Sequence, residues 1–132
     1  MKLTEDKAMG QGRKFIGELG ETAAVRFLKK RGYKILERNA RTIFGEIDIV
    51  AIKDGFTIFV EVRSRSTSSL GPPYLSIDRI KERHIVKNAL AYMKRLKHTE
   101  QCWRIDVVSV KLDHNYKVEK IELFENAVED NH

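Results

Sequence analysis

Apolar and polar positions alternate along this chain with two distinct periods. From about Lys14 to Arg31 the apolar residues recur at helical spacing, and Gly32 ends the run. Leu36–Thr42 reads as a short strand. Glu46–Lys53 and Phe56–Arg63 are strands rich in Ile, Val and Phe, and Asp54-Gly55 between them is the favoured dipeptide of a type I′ hairpin turn. The polar stretch Ser64–Leu75, with its Gly and two Pro, is a loop, and Ser76 is placed to cap a second helix through about Lys97. Arg104–Leu112 alternates as another strand, followed by a weaker one over Val118–Phe124. The order α-β-β-β-α-β-β, with a helix between the third and fourth strands, predicts a mixed sheet flanked by helices. Residues 1–13 read as a loose polar arm, 14–127 as one domain, and 128–132 as a frayed acidic tail. The glycines of GQGRKFIG follow no strand, so a dinucleotide-binding loop is excluded.

The hairpin gathers charge. A two-residue turn pairs Lys53 with Phe56 and, counting outward, Val50 with Phe59, Asp48 with Glu61 and Glu46 with Arg63. Alternation then puts these four charged side chains on one face, beside the apolar Val50, Ile52 and Phe59. Opposed carboxylates at Cβ separations of about 5 Å repel each other, and relief requires a cation, a shared proton or solvent. For the pair alone, neutralisation by Arg63 and nearby lysines at a wet sheet end is the better explanation. A third carboxylate shifts that balance. Gly17, Glu21, Ala24 and Leu28 form one helical stripe, which turns Glu21 toward the sheet. Gly17 and Gly20 each weaken the helix by about 1 kcal/mol relative to Ala, so they point to close approach of helix and sheet. Three converging carboxylates would suit Mg²⁺ or Mn²⁺, which are hard cations that prefer oxygen ligands.

Composition sharpens the partner class. Twenty-five Lys and Arg against nineteen Asp and Glu leave a net charge of +6 over 132 residues, which favours polyanions, nucleic acid first among them. No apolar run is long enough to span a membrane, and the start of the chain lacks the apolar stretch of a signal peptide. A lone Cys102 suits a reducing compartment, so the cytoplasm is the expected location. The four histidines show no metal-ligand spacing. Asp106 is expected to touch the second helix or Arg104, without a catalytic part. Tyr33, Tyr74 and Tyr92 do not make a base-stacking set.

Gly17-x-x-Gly20-Glu21, Arg38-Asn39-x-Arg41, Gly45-Glu46-Ile47-Asp48 and Phe59-Val60-Glu61-Val62-Arg63 together resemble the YraN family of bacterial proteins. The resemblance continues through Gly71-x-Pro73, Lys81 and Arg104-Ile105-Asp106-Val107-Val108, covering about residues 14–127. That family is similar to the PD-(D/E)xK superfamily of restriction enzymes and archaeal Holliday-junction resolvases. The resemblance implies a restriction-endonuclease-like three-layer α/β/α fold. It implies catalytic roles for Asp48, Glu61 and Arg63, and metal ligation by Glu21, Asp48 and Glu61 with Mg or Mn as cofactor. Arg63 stands where the superfamily pattern has Lys. Arginine keeps the charge and can brace a phosphate bidentately, but it cannot act as a base. Lys81 is the alternative cation. Arg65, Lys81 and Arg83 are candidates to hold backbone phosphates, and a plain solvated helix face is the competing account. The loop Ser66–Tyr74 is long enough to fold over a substrate, or is a simple connector. The expected function is nucleic-acid binding, DNA before RNA, with metal-dependent cleavage of structured or branched DNA. A non-catalytic binding module and a protein-interaction scaffold, with a homodimer as one arrangement, are the alternatives.

Overall fold

The computed structural model describes residues 5–66, 79–96 and 102–128. The elements are α1 (Glu5–Lys30), β1 (Lys34–Thr42), β2 (Gly45–Lys53), β3 (Phe56–Ser66), α2 (Arg79–Leu96), β4 (Trp103–Leu112) and β5 (Val118–Val128). The strands form one sheet in the order β1-β2-β3-β4-β5. Among the described strands only β3 and β4 run parallel, joined through α2, and the other neighbours are antiparallel. The expected mixed sheet and helix order are therefore observed. None of the described helices is long and apolar enough to cross a membrane.

Two apolar clusters place the helices on opposite faces. Ala24 and Leu28 of α1 pack with Ile49, Ala51, Ile58, Val60, Val108 and Val110. Val86, Ala89, Tyr92 and Met93 of α2 pack with Ile47, Val50, Phe59 and Ile105. The alternation expected of β4 is seen directly, with Ile105 and Trp103 on the α2 side and Val108 and Val110 on the α1 side. The result is three layers, α1, sheet and α2.

Several boundaries differ from the sequence reading. α1 begins at Glu5, so residues 5–13 are helical and not a loose arm. β3 continues through Ser66 because parallel pairing with Val110, Lys111 and Leu112 satisfies the backbone of Ser64, Arg65 and Ser66. β5 runs on to Val128, which pairs with Ile105. The expected loop over Ser66–Tyr74 falls, beyond Ser66, outside the described residues, as does the expected cap at Ser76.

The end of α1 is set by glycine. Gly32 has φ +87, and its N–H bonds Lys29 C=O at 3.1 Å while Tyr33 N–H bonds Leu28 C=O at 3.0 Å. This left-handed cap folds Tyr33 back against Leu28 in the α1-side cluster. There the Tyr33 hydroxyl donates to Asp106 at 2.8 Å. Asp106 is fully buried and also accepts from Arg104 Nε at 3.0 Å and from the Asn126 N–H at 2.9 Å. Its expected contact with Arg104 is present, but α2 lies on the other face. Burial, then the Asp106 carboxylate, pushes the Tyr33 phenol up to about 12, so the ring stays a donor at any ordinary pH. The end of α1, β4 and β5 thus converge on one fully satisfied carboxylate.

Gly20 is the close-approach residue that the sequence suggested. A Cβ there would meet Ser64 Oγ at 1.8 Å and Ser64 Cβ at 2.7 Å, whereas a Cβ at Gly17 would meet nothing within 4 Å. Close approach accounts for Gly20 alone; nothing in the structure explains Gly17. Gly20→Ala is expected to destabilise the fold by roughly 1–3 kcal/mol, the usual cost of overpacking, despite Ala's better helix propensity. Adding Ser64→Gly removes both clashing atoms, so the double variant should recover part of the loss in thermal melting. A melting temperature for Gly20→Ala equal to wild type would refute the contact.

Candidate acidic site

The β2–β3 turn behaves as its residues require. Asp54 and Gly55 both have positive φ, at 50° and 82°, and the register follows: Lys53 faces Phe56, Val50 faces Phe59 and Ile49 faces Val60. The ladder then stops. Asp48 and Glu61 are not backbone partners, and neither are Glu46 and Arg63, as the sequence count had them.

The reason is a local slip in alternation. Ile47 packs on the α2 side and Ile49 on the α1 side, although residues two apart in a regular strand share a face. The same reversal occurs opposite, on β1. Glu37 accepts a hydrogen bond from Tyr92 of α2, Arg38 reaches Glu21 of α1, and Ala40 is back in the α2-side cluster. Between them Asn39 has φ +53, a left-handed conformation that Asn tolerates better than most residues. Asp48 lies opposite this kink. Its carboxylate is re-aimed across to β3, where Oδ2 accepts the Val62 N–H at 2.8 Å. A side chain thus takes the place of a ladder bond. Val50 and Phe59 are on the α2 side, the side that Glu61 faces, and Ile52 is exposed.

Asp48 and Glu61 nevertheless meet. Val60 and Val62 pack toward α1, which turns Glu61 to the α2 side. Its carboxyl hydrogen-bonds Asp48 and feels the positive charge of Lys81. Burial, then the Asp48 charge, pushes the Glu61 carboxyl up to about 7, with Arg63 opposing. Burial also raises Asp48, against the Val62 N–H, Glu61 and Arg63, which all favour its anion. The two therefore titrate as a pair, both raised by burial. Arg63 Nη2 lies 3.5 Å from Glu61 Oε1, with only 15% of its side chain exposed. Its Nε and Nη2 are buried without a hydrogen-bond partner. A cavity of about 10 Å³, room for one water at most, adjoins Glu61 and is lined also by Glu46, Ile47, Ile85 and Asn88.

Glu21 approaches from the other side. It is raised by burial and by the Asp48 charge, and lowered by Arg38, whose Nε stands 3.5 Å from Oε1. The helical stripe placed Glu21 as expected, but the carboxylate is held by Arg38, a residue whose part the sequence did not show. Among the described residues no three Asp, Glu, His or Cys side chains converge closely enough to make a ready-formed metal cage. Two carboxylates, not three, are in direct contact. Of the basic candidates, Lys81 is exposed and faces the pair, and Arg65 is half-buried at the end of β3. Arg83, exposed on α2, lies two residues from Lys81 and so projects from a different side of the helix.

The folded protein keeps the Glu61 proton up to about pH 7, whereas the unfolded chain releases it near 4.5. The folded state therefore binds more protons in that interval, and stability falls as pH rises through it. Glu61→Gln keeps a donor for Asp48 and removes the ionisation. It is expected to melt above wild type at about pH 8 and close to wild type at about pH 4, a difference that denaturation across pH would detect. Parallel pH profiles for the two proteins would show that Glu61 is not the titrating group.

The family model described as Uncharacterised protein family UPF0102 matches residues 20–110. A UPF0102 protein of Geobacter metallireducens is 44% identical over 117 residues, covering 88% of this chain and 93% of the relative. One from Desulfosudis oleivorans is 48% identical over 116 residues, covering 87% and 90%. One from Caldicellulosiruptor saccharolyticus is 40% identical over 112 residues, covering 85% and 95%. The matched stretch contains Glu21, Arg38, Asp48, Glu61, Arg63 and Lys81 and all of the central strands β2 and β3. By these matches the chain belongs to Uncharacterised protein family UPF0102, the YraN family that its motifs resemble.

Proposed function

We propose that this protein binds nucleic acid and hydrolyses phosphodiester bonds in structured or branched DNA with the help of Mg²⁺ or Mn²⁺. The observation that carries the reading is a half-buried Asp48–Glu61 pair in hydrogen-bond contact beside Arg63, whose Nε and Nη2 have no hydrogen-bond partner. A phosphate brought to this point supplies acceptors for those donors. The net charge of +6 and the resemblance to the PD-(D/E)xK superfamily support nucleic acid as its source.

The donor chemistry fits a divalent cation. Asp48 and Glu61 offer hard oxygen ligands, and their hydrogen-bond contact marks a position where positive charge relieves their repulsion. Two carboxylates suffice for Mg²⁺, which commonly keeps waters and completes its shell with substrate phosphate. Such a cation would acidify a bound water and draw charge from the phosphate oxygens. Glu21 adds negative charge behind Asp48. Arg63 braces the phosphate and stabilises charge developing on it, and it cannot take a proton. Lys81 faces Glu61 from α2 and Arg65 lies at the end of β3, and these two contribute to the basic surface along which the backbone is held, whereas Arg83 projects from another side of α2.

Binding to DNA is expected to weaken steeply with salt, through release of condensed counterions. Asp48→Asn and Glu61→Gln should each abolish Mg²⁺-dependent cleavage of a branched substrate. DNA affinity should be kept, because removing a carboxylate also removes repulsion for phosphate. Arg63→Lys separates two modes of action: activity falls if the guanidinium works by bidentate phosphate contact, and persists or rises if only a cation near the attacking water is needed. Calorimetry showing no Mg²⁺ or Mn²⁺ binding, with cleavage indifferent to the Asp48 and Glu61 changes, would leave a non-catalytic binding module.

A further inference from the structure

Phe15 of α1 and Tyr116 of the β4–β5 turn meet edge to face, with 5.3 Å between ring centroids and 82° between planes. Both remain about half exposed, at 47% and 52%, and neither packs with either core cluster. Two large rings at the surface that serve neither core need another account.

The backbone at Tyr116 strengthens the case. Its φ is +61, a left-handed conformation that disfavours a bulky L-residue, and Asn115 stands one position too early to occupy it. The turn holds this conformation firmly. Asp113 Oδ1 accepts from the Asn115 N–H at 2.8 Å and the Lys117 N–H at 3.0 Å. Asp113 N–H donates to Lys117 C=O at 2.8 Å, and Tyr116 N–H donates to Asp113 C=O at 2.9 Å. Backbone strain over-determined by its surroundings is typical of ligand clamps.

The rings stand on the α1 side of the sheet, whereas Glu61 faces α2. The turn follows Leu112, which pairs with Ser66 at the end of β3. It therefore stands at the end of the sheet that β3 reaches after Glu61 and Arg63. Phe15 and Glu21 lie on the same helix, about 9 Å apart along its axis and about 120° apart around it, with Glu21 toward Arg38 of β1 and Phe15 toward the β4–β5 turn. Exposed Arg13 and Lys14 adjoin Phe15, and exposed His114 and Lys117 adjoin Tyr116. The one carboxylate within the turn, Asp113, is committed to the turn's own amides.

We propose that Phe15 and Tyr116 form a stacking platform for an unpaired nucleobase, at a place distinct from the Asp48–Glu61–Arg63 site. The proposal rests on the nucleic-acid reading above and adds a preference for substrates with unstacked bases. Stacking on aromatic rings tolerates any base, since every base has a π-face, and flanking cations hold the adjoining phosphates.

The test uses the full chain and a single-stranded oligonucleotide carrying 2-aminopurine, whose emission is quenched by stacking. Tyr116→Asn removes the ring and suits the positive φ, so it should melt no lower than wild type. Phe15→Leu keeps an apolar side chain on α1. Wild type is expected to quench the probe, and both variants to lose quenching and bind the single strand roughly tenfold more weakly. Affinity for a duplex of the same sequence should be unchanged. Variants that quench and bind as wild type does, or that weaken single strand and duplex equally, would overturn the platform while leaving the nucleic-acid reading intact. Wild type that binds neither form at low ionic strength would overturn both.

Discussion

Two acidic side chains occupy the gap where the β2–β3 ladder stops, and much of the surrounding structure answers the cost of holding them there. In a continuous ladder the Val62 amide would face a backbone carbonyl. Here it is taken by Asp48, which brings a carboxylate into a half-buried interior beside Glu61. Neither acid can be charged cheaply in that setting, so Glu61 retains its proton toward neutrality. Arg63 is present but 3.5 Å away, and Lys81 acts from the exposed start of α2. Arg38 performs the same service for Glu21 on the opposite face. The cations around the pair moderate its charge, but Arg63 Nε and Nη2 make no hydrogen bond to either acid.

Asp106 shows what the same residue type looks like when its demands are met. It too is buried, yet Tyr33, Arg104 and the Asn126 amide all donate to it. A buried carboxylate with every lone pair engaged is a rigid structural joint, fastening the end of α1 to β4 and β5. The contrast between the two carboxylates is one of satisfaction, not of burial. The joint holds α1 in place, and Gly20 lets the helix come close enough for Glu21 to sense Asp48.

Much of this was legible in the residue order. The periodicities yielded the elements, and the Asp54-Gly55 turn yielded the register through Ile49 and Val60, because turn chemistry and two-residue alternation are local properties. The helical stripe put Glu21 on the inward face for the same reason. The element ends were less legible. β3 and β5 are longer than their own residues suggest because partner strands supply the pairing.

The sequence by itself determined which residues could gather: the motif acids, the basic residue beside them and the glycine that admits the helix. Only the tertiary structure decided how they meet. The paired reversal at Asn39 and Asp48 arises between two strands, since each kink is tolerable only opposite the other, and no period in either strand announces it. That reversal sends Asp48 to the Val62 amide instead of into a regular cross-strand pair. It also leaves Glu21 with Arg38, so that two carboxylates and not three are in contact. The same holds for Phe15 and Tyr116, which are separated by most of the chain and become one surface only when β4 carries its turn up to α1.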